Sequence, residues 1–246
     1  MAIKLRRKGR KHAPHRLIRA GDRTMTFVPD AADGPRDSVE LPSAEEVDAA
    51  LREVPEDLSW DWVAPRFIPV FERGYGEGFT GDPMLNAVSP LGVGIGFGID
   101  FGPVIGRVTR SMAQRWEASI EQIEHAAFTH LAAVVGDIGP WHVQSVVDRG
   151  HFFRALGHPA GWASSVILAG EAELIRIFRT RDAMFTAPTR NSLLAFPPAT
   201  PTRAVADITV QLEAMDPHPL LIDPFVMDDG VLRWEGVTDL DEPGAD

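Results

Sequence analysis

The chain has 246 residues, 44% of them apolar, enough to bury a sizeable core and to exclude a disordered protein. It has no cysteine, so disulfides, thiolate nucleophiles and cysteine-ligated zinc are excluded. The net charge of −11 is unevenly placed: residues 1–23 carry nine of the 24 Lys and Arg and one acid, Asp22, leaving +8 there and −19 on the rest.

An acidic body repels phosphate, so a dedicated nucleic-acid protein is not expected. The arm Lys4-Leu5-Arg6-Arg7-Lys8-Gly9-Arg10-Lys11 is the one segment suited to nucleic acid or an anionic surface. A solvated tail, or an arm lying on the acidic body, is the simpler account of it. No apolar stretch follows the basic residues as in a secretory signal, and no run reaches the roughly 18 apolar residues of a membrane span. The longest, Leu91–Ile105, is rich in glycine and broken by Asp100. A cytoplasmic protein without a transmembrane segment is expected.

In chain order, Leu17–Ile18 and Met25–Val28 flank Ala20-Gly21-Asp22 as an opening hairpin. A polar connector, Pro29 to Pro42, leads to a capping box, Ser43-Ala44-Glu45-Glu46, and a helix with Val47, Ala50, Leu51 and Val54 on one face. Pro55 stops it. Pro65 and Pro69 forbid a single helix through Trp60, Trp62, Phe67 and Phe71, and Gly74 to Pro90 reads as loop. From Leu91 to Phe101 the sequence alternates strictly: Val93, Ile95, Phe97 and Ile99 stand between Gly92, Gly94, Gly96 and Gly98. Period two predicts a strand with one bulky and one bare face, and interior glycines imply something packed close to the main chain.

Ser111 is expected to begin a short turn and Ser119 to cap a helix burying Ile120, Ile123, Ala127, Leu131 and Val134, closed by Gly136. Trp141–Asp148 reads as a strand, Gly157–Gly161 as a turn, and Ala163–Arg179 as one helix. Ala183–Ala187 and Ser192–Phe196 are short strands joined across Pro188-Thr189-Arg190-Asn191. Pro201 starts a helix burying Val205, Ile208, Leu212 and Met215. Leu221–Val226 and Val231–Glu235 bracket the hairpin turn Asp228-Asp229-Gly230. Irregular alternation of strands and helices argues for an α+β fold, mixed and mainly antiparallel, in two lobes. The expected organisation is a basic arm running into the first hairpin (1–23), an N-terminal lobe (24–138), a C-terminal lobe (139–238) and an acidic tail (239–246).

Several segments follow one another at familiar spacing: Pro65 to Val70, Pro90 to Asp100, Val108-Thr109, Trp116, the helix through Ala126 to Leu131, Ala163-Ser164, and Ala187-Pro188-Thr189-Arg190-Asn191-Ser192-Leu193. Over roughly residues 64–200 the chain resembles the bacterial family called domain of unknown function 1444. That resemblance implies a small cytosolic protein of mixed fold and carries no assigned reaction. Two departures are visible: Arg190-Asn191 where the family is expected to read Arg-Asp, and His130-Leu131 where Asn is expected before Leu.

No catalytic motif stands out. The glycine run lacks Rossmann spacing and lies inside a strand rather than between strand and helix. Glu121 and His125 share a helix face, but His130 is turned off it, and His142, His151 and His158 lie on separate segments, so no metal site and no cofactor is expected. Ser164 and Ser165 lack a nucleophile-elbow context. Arg176, Arg179 and Arg181 end a helix and with Arg190 suggest a small anion-recognising patch. The leading expectation is a non-catalytic binding or regulatory protein whose acidic surface contacts a basic protein partner. The alternative is an enzyme with a polar site between the lobes, built on Arg190, Asn191, Arg181, Asp182 and Asp100; a weaker one is nucleic-acid or anionic-surface association through the arm.

Overall fold

The computed structural model describes residues 15–21, 24–29, 37–40, 43–72, 85–86, 94–158, 161–216, 220 and 224–234, those before 43 together with 85–86 and 234 as backbone alone. The basic arm before residue 15, most of the Pro29–Pro42 connector, the Gly74–Pro90 loop apart from Leu85 and Asn86, Leu91–Val93, Leu221–Asp223 and the acidic tail lie outside the described residues.

Among the described residues, three antiparallel sheets together with helices make an α+β fold. The first is a meander of β1 (His15–Gly21), β2 (Thr24–Pro29) and β3 (Asp37–Glu40). Helix α1 (Ala44–Arg52) follows, opened by the expected box: Glu46 N donates to Ser43 Oγ and Ser43 N to Glu46 Oε2. Helix α2 (Trp60–Val63) and a 3-10 turn at Ala64–Arg66 end where β4 (Phe67–Glu72) begins. Among the described residues β4 pairs with one neighbour, as an edge strand does, which is where Pro69 is tolerated.

The second sheet centres on the glycine strand β6 (Gly94–Asp100). It pairs with β4 along one edge, and with the two-residue β5 (Leu85–Asn86) and β7 (Ile105–Arg107) along the other. Register puts Ile68, Val70 and Glu72 opposite Gly98, Gly96 and Gly94, so these six share a face, while Phe67 and Phe71 stand opposite Ile99 and Ile95 on the other. Helix α3 (Arg110–Arg115) is capped by Thr109, whose Oγ1 accepts from Met112 N; Ser111, expected to open this segment, lies within the helix. Thr109 has the extended backbone a cap needs.

Helix α4 (Ile120–Gly136) starts at the Ser119–Gln122 box and buries Ile123, Ala127, Leu131 and Val135. Its last carbonyls are met from a distance. Arg176 donates to Val135 O at 2.7 Å and to Ile138 O while pairing with Glu173. Replacing Arg176 by Met keeps the aliphatic stem and removes those donors, and is expected to cost about 1–3 kcal/mol in denaturant unfolding.

The third sheet has six strands in the order β13-β12-β10-β11-β9-β8. These are β8 (Val143–Asp148), β9 (His151–Gly157), β10 (Ala183–Thr189), β11 (Ser192–Phe196), β12 (Phe225–Asp228) and β13 (Val231–Trp234). β8 begins later than expected because Pro140–His142 is a 3-10 turn. Ala163–Arg179 is not one helix. A 3-10 helix at Ala163–Ala169 is cut at Gly170, whose φ of +94 leaves the helical region, and α5 (Glu171–Phe178) follows. β10 runs on to Thr189, so Arg190 and Asn191 alone make the turn to β11. Helix α6 (Thr202–Glu213) covers one face of this sheet, Val205, Ile208 and Leu212 packing with Val146, Phe153, Leu194 and Phe196.

One apolar cluster takes Ile68, Phe71, Leu131 and Val135 from before residue 139 and Trp162, Val166, Phe178, Phe185 and Phe225 from after it. At about 1.5–3 kcal/mol per fully buried large side chain, this shared core fixes β4 and β6 against the β10–β11 turn. Among the described residues no helix is long and apolar enough to cross a membrane.

Candidate functional site

Two of the glycines on the bare face of β6 are closed by side chains of neighbouring strands. A Cβ at Gly96 would stand 2.6 Å from Cγ of Glu72, and one at Gly98 would stand 2.2 Å from Cγ2 of Ile105. Gly96 is the bed on which a carboxylate lies. Glu72 is 2% exposed, and burying a lone carboxylate is prohibitive unless it is paired. Here it is paired twice at one oxygen: Oε2 accepts from Nη2 of Arg107 at 2.9 Å and from Nη2 of Arg190 at 2.8 Å. Arg190 Nε also donates to Phe71 O at 3.3 Å.

The turn carrying Arg190 is held on several sides. Thr189 and Ser192 share a hydroxyl hydrogen bond of 2.9 Å, and Asn191 N donates to Thr189 Oγ1. His158 N donates to Asn191 O and Ser164 N to Arg190 O. Gly161, at φ +87, would bring a Cβ to 3.0 Å from Asn191 Oδ1. Ser164 and Ser165 are buried, and their hydroxyls meet no hydrogen-bond partner among the described residues.

Further along the same seam His158 stacks on Trp162 with centroids 4.0 Å apart. Burial pushes the His158 imidazole down to about 4, the charge of Asp100 opposing that shift and His142 adding to it. Asp100 accepts from Gly102 N at Oδ1 (2.7 Å) and places Oδ2 3.7 Å from His130 Nε2. Asp100 and His130 also line an open groove of about 700 Å³ with Glu53, Val54, Trp62, Pro65 and Phe101. Arg66 stacks its guanidinium 4.2 Å over the Trp62 ring and donates to Trp62 O.

Of the five residues expected to form a site, the structure sets Arg190 and Asn191 in this seam and Asp100 at its far end beside His158. Arg181 and Asp182 lie elsewhere, stapling the β12–β13 hairpin: Asp182 Oδ1 accepts from Asp229 N at 2.8 Å, and Arg181 Nε is 3.4 Å from Asp229 Oδ1. Of the four arginines expected to make an anion patch, Arg176 is engaged by Glu173 and the end of α4, Arg181 by Asp229 and Arg190 by Glu72, while Arg179 lines a small pocket with Thr180 and Asp182. Glu72, Arg107 and His158 were not legible as site residues. One signal was present: an acid falls on the apolar phase Ile68, Val70, Glu72 of a strand followed by a glycine stripe. Among the described residues no group of three or more His, Asp or Glu is placed to hold a metal ion. Comparison with protein-family models, curated proteins and solved structures finds no match to this chain.

Proposed function

We propose that the protein is a non-catalytic binding protein that holds a basic, partly apolar segment of a protein partner in the groove beside α1, in the cytoplasm. The observation carrying this reading is that, among the described residues, the apolar face of α1 is only partly covered. Val47, Ala50, Leu51 and Val54 share that face, no residue of α1 is buried, and Leu51 is 45% exposed. Ala50 and Val54 open directly onto the groove, whose floor adds Trp62, Pro65 and Phe101. Its lining also carries two acids, Glu53 and Asp100, beside one guanidinium, Arg66, which is held over the Trp62 ring, in a chain that carries −19 outside its first 23 residues. Aromatic side chains in a concave site and a charged rim are the usual division between affinity and steering.

Glu53→Lys tests this, because Glu53 is exposed and its reversal leaves the core untouched. Crosslinked capture by the wild-type protein is expected to recover a partner whose yield falls with salt. The variant, with an unchanged melting temperature, is expected to bind that partner at least about fivefold more weakly. Identical capture by both proteins, or capture indifferent to salt, overturns the proposal.

A further inference from the structure

We infer that Arg154 and Arg179 frame a site for a small organic anion, a carboxylate or phosphate group carried on an apolar body about one ring in size. The site is a pocket of about 180 Å³ at the end of the six-stranded sheet where β9 and β10 start and β11 stops. Register builds its floor. Arg154 pairs with Ala195, Phe152 stands two residues earlier on the same face, and all three line the pocket. Helix α5 ends at Phe178, and the loop from Arg179 to Asp182 forms one side.

Three observations point to a ligand. First, Arg179 takes the C-cap of α5 in the left-handed region, at φ +56, where glycine fits without steric penalty. The chain keeps a long cation there. Among the described residues that side chain makes no hydrogen bond or ion pair, neither with the last carbonyls of α5 nor with an acid. Second, the frame is already ordered. Arg154 is half-buried and its Nη1 donates to Phe178 O, which fixes one guanidinium beside the root of the other. Thr180 Oγ1 donates to Asp182 O at 2.7 Å and accepts from Asp182 N at 3.2 Å, holding the loop. Little freedom is left to lose on binding. Third, apolar surface adjoins the two cations: Phe152 is 41% exposed, and Pro197 and Pro198 complete the wall. Apolar walls with a few convergent polar groups are what a small-molecule site requires, and a cavity of about 150 Å³ already takes up benzene. The acid in the lining, Asp182, has Oδ1 occupied by Asp229 N at 2.8 Å. Two guanidiniums against this one carboxylate leave the pocket at +1 in a chain of net −11, so an anion is drawn here and repelled from most of the surface. The pocket shares no residue with the groove beside α1 and does not depend on that reading.

The test adds benzoate, and separately phenyl phosphate, to the full chain at constant ionic strength while NMR follows the arginine Nε–Hε and backbone amide resonances. Saturable shifts at Arg154, Arg179, Ala183 and Ala195, with Arg66 and Arg149 unmoved, support the site. The tighter of the two anions identifies the oxyanion it takes. Benzyl alcohol keeps the ring without the charge and is expected to bind about tenfold more weakly. Arg179→Gln removes the charge at an exposed position, so the melting temperature is expected to hold while binding of the tighter anion weakens about tenfold; Arg179→Lys restores part of it. Shifts that stay linear, that chloride or benzyl alcohol reproduces in full, or that a folded Arg179→Gln variant leaves unchanged overturn the inference.

Discussion

Gly96→Ala is expected to destabilise the protein by about 2–4 kcal/mol, whereas Gly94→Ala, two residues away on the same face of the same strand, is expected to be neutral or stabilising by up to about 1 kcal/mol. The difference lies in what each new methyl meets. At position 96 it would stand 2.6 Å from Cγ, 3.1 Å from Oε1 and 3.3 Å from Cδ of Glu72. Cγ is the root of the carboxylate rather than its mobile tip, so relief requires the whole side chain to leave its bed. Its departure parts a buried carboxylate from Arg107 and Arg190, a rupture that costs about 3–5 kcal/mol where no new partner replaces the old. The gain of alanine over glycine in a strand, about 0.5–1 kcal/mol, offsets only part of this. At position 94 the nearest atoms are Glu72 O at 3.5 Å and Glu72 Cβ at 3.7 Å, ordinary contact distances. Denaturant unfolding of the two variants measures the contrast. The double variant Gly96→Ala with Glu72→Ala isolates its cause, because without the carboxylate the same methyl is expected to cost nothing. Equal stability of the two single variants would show that Glu72 does not lie sealed against β6.

Why the strand was readable and its purpose was not follows from the range of each signal. Alternation in Gly94–Asp100, the boxes at Ser43 and Ser119, and the Asp229-Gly230 turn are local: the residues that cause them are within four positions of one another. The turn shows positive φ at both Asp229 (+47) and Gly230 (+77), which is what a two-residue hairpin requires. Where local cues competed, the reading slipped. The apolar stretch after Ala163 suits a helix, but Gly170 at φ +94 divides it. Ser111 looks like a cap, yet Thr109 has the extended backbone that capping needs. The seam itself joins groups far apart in sequence: 35 positions separate Glu72 from Arg107, and 118 separate it from Arg190. Such a contact is set by how β4, β7 and the β10–β11 turn pack, which periodicity does not encode. Arg190 and Asn191 were singled out because the connection Pro188-Thr189-Arg190-Asn191 between two short strands is itself a local pattern; Glu72 was passed over because its meaning depends on distant partners.

Acid is expected to remove about 3 kcal/mol of stability through His158 alone as the pH falls from 6.5 to about 4. Its imidazole is held down to about 4 in the folded protein, chiefly by burial. An unfolded chain restores the ordinary value near 6.5. Above pH 6.5 both states hold a neutral ring and the full stability is present. Between the two values the unfolded chain takes up the proton first, so each step downward in pH favours unfolding; below about 4 both states are protonated and this loss stops growing. Two neighbours adjust the interval. The charge of Asp100 stabilises the imidazolium and moderates the depression, while a protonated His142 deepens it. Asp100→Asn is therefore expected to lower the folded-state value further and to extend the loss to lower pH. His158→Phe preserves an aromatic ring against Trp162, whose centroid lies 4.0 Å away, and leaves the main-chain bond from residue 158 to Asn191 O in place. The difference between wild-type and His158→Phe unfolding free energies across pH 4–7 therefore reads His158 together with its coupling to Asp100. A difference that stays constant with pH would mean that this imidazole charges as readily in the fold as in water, and that the seam between Trp162 and Asp100 is open to solvent.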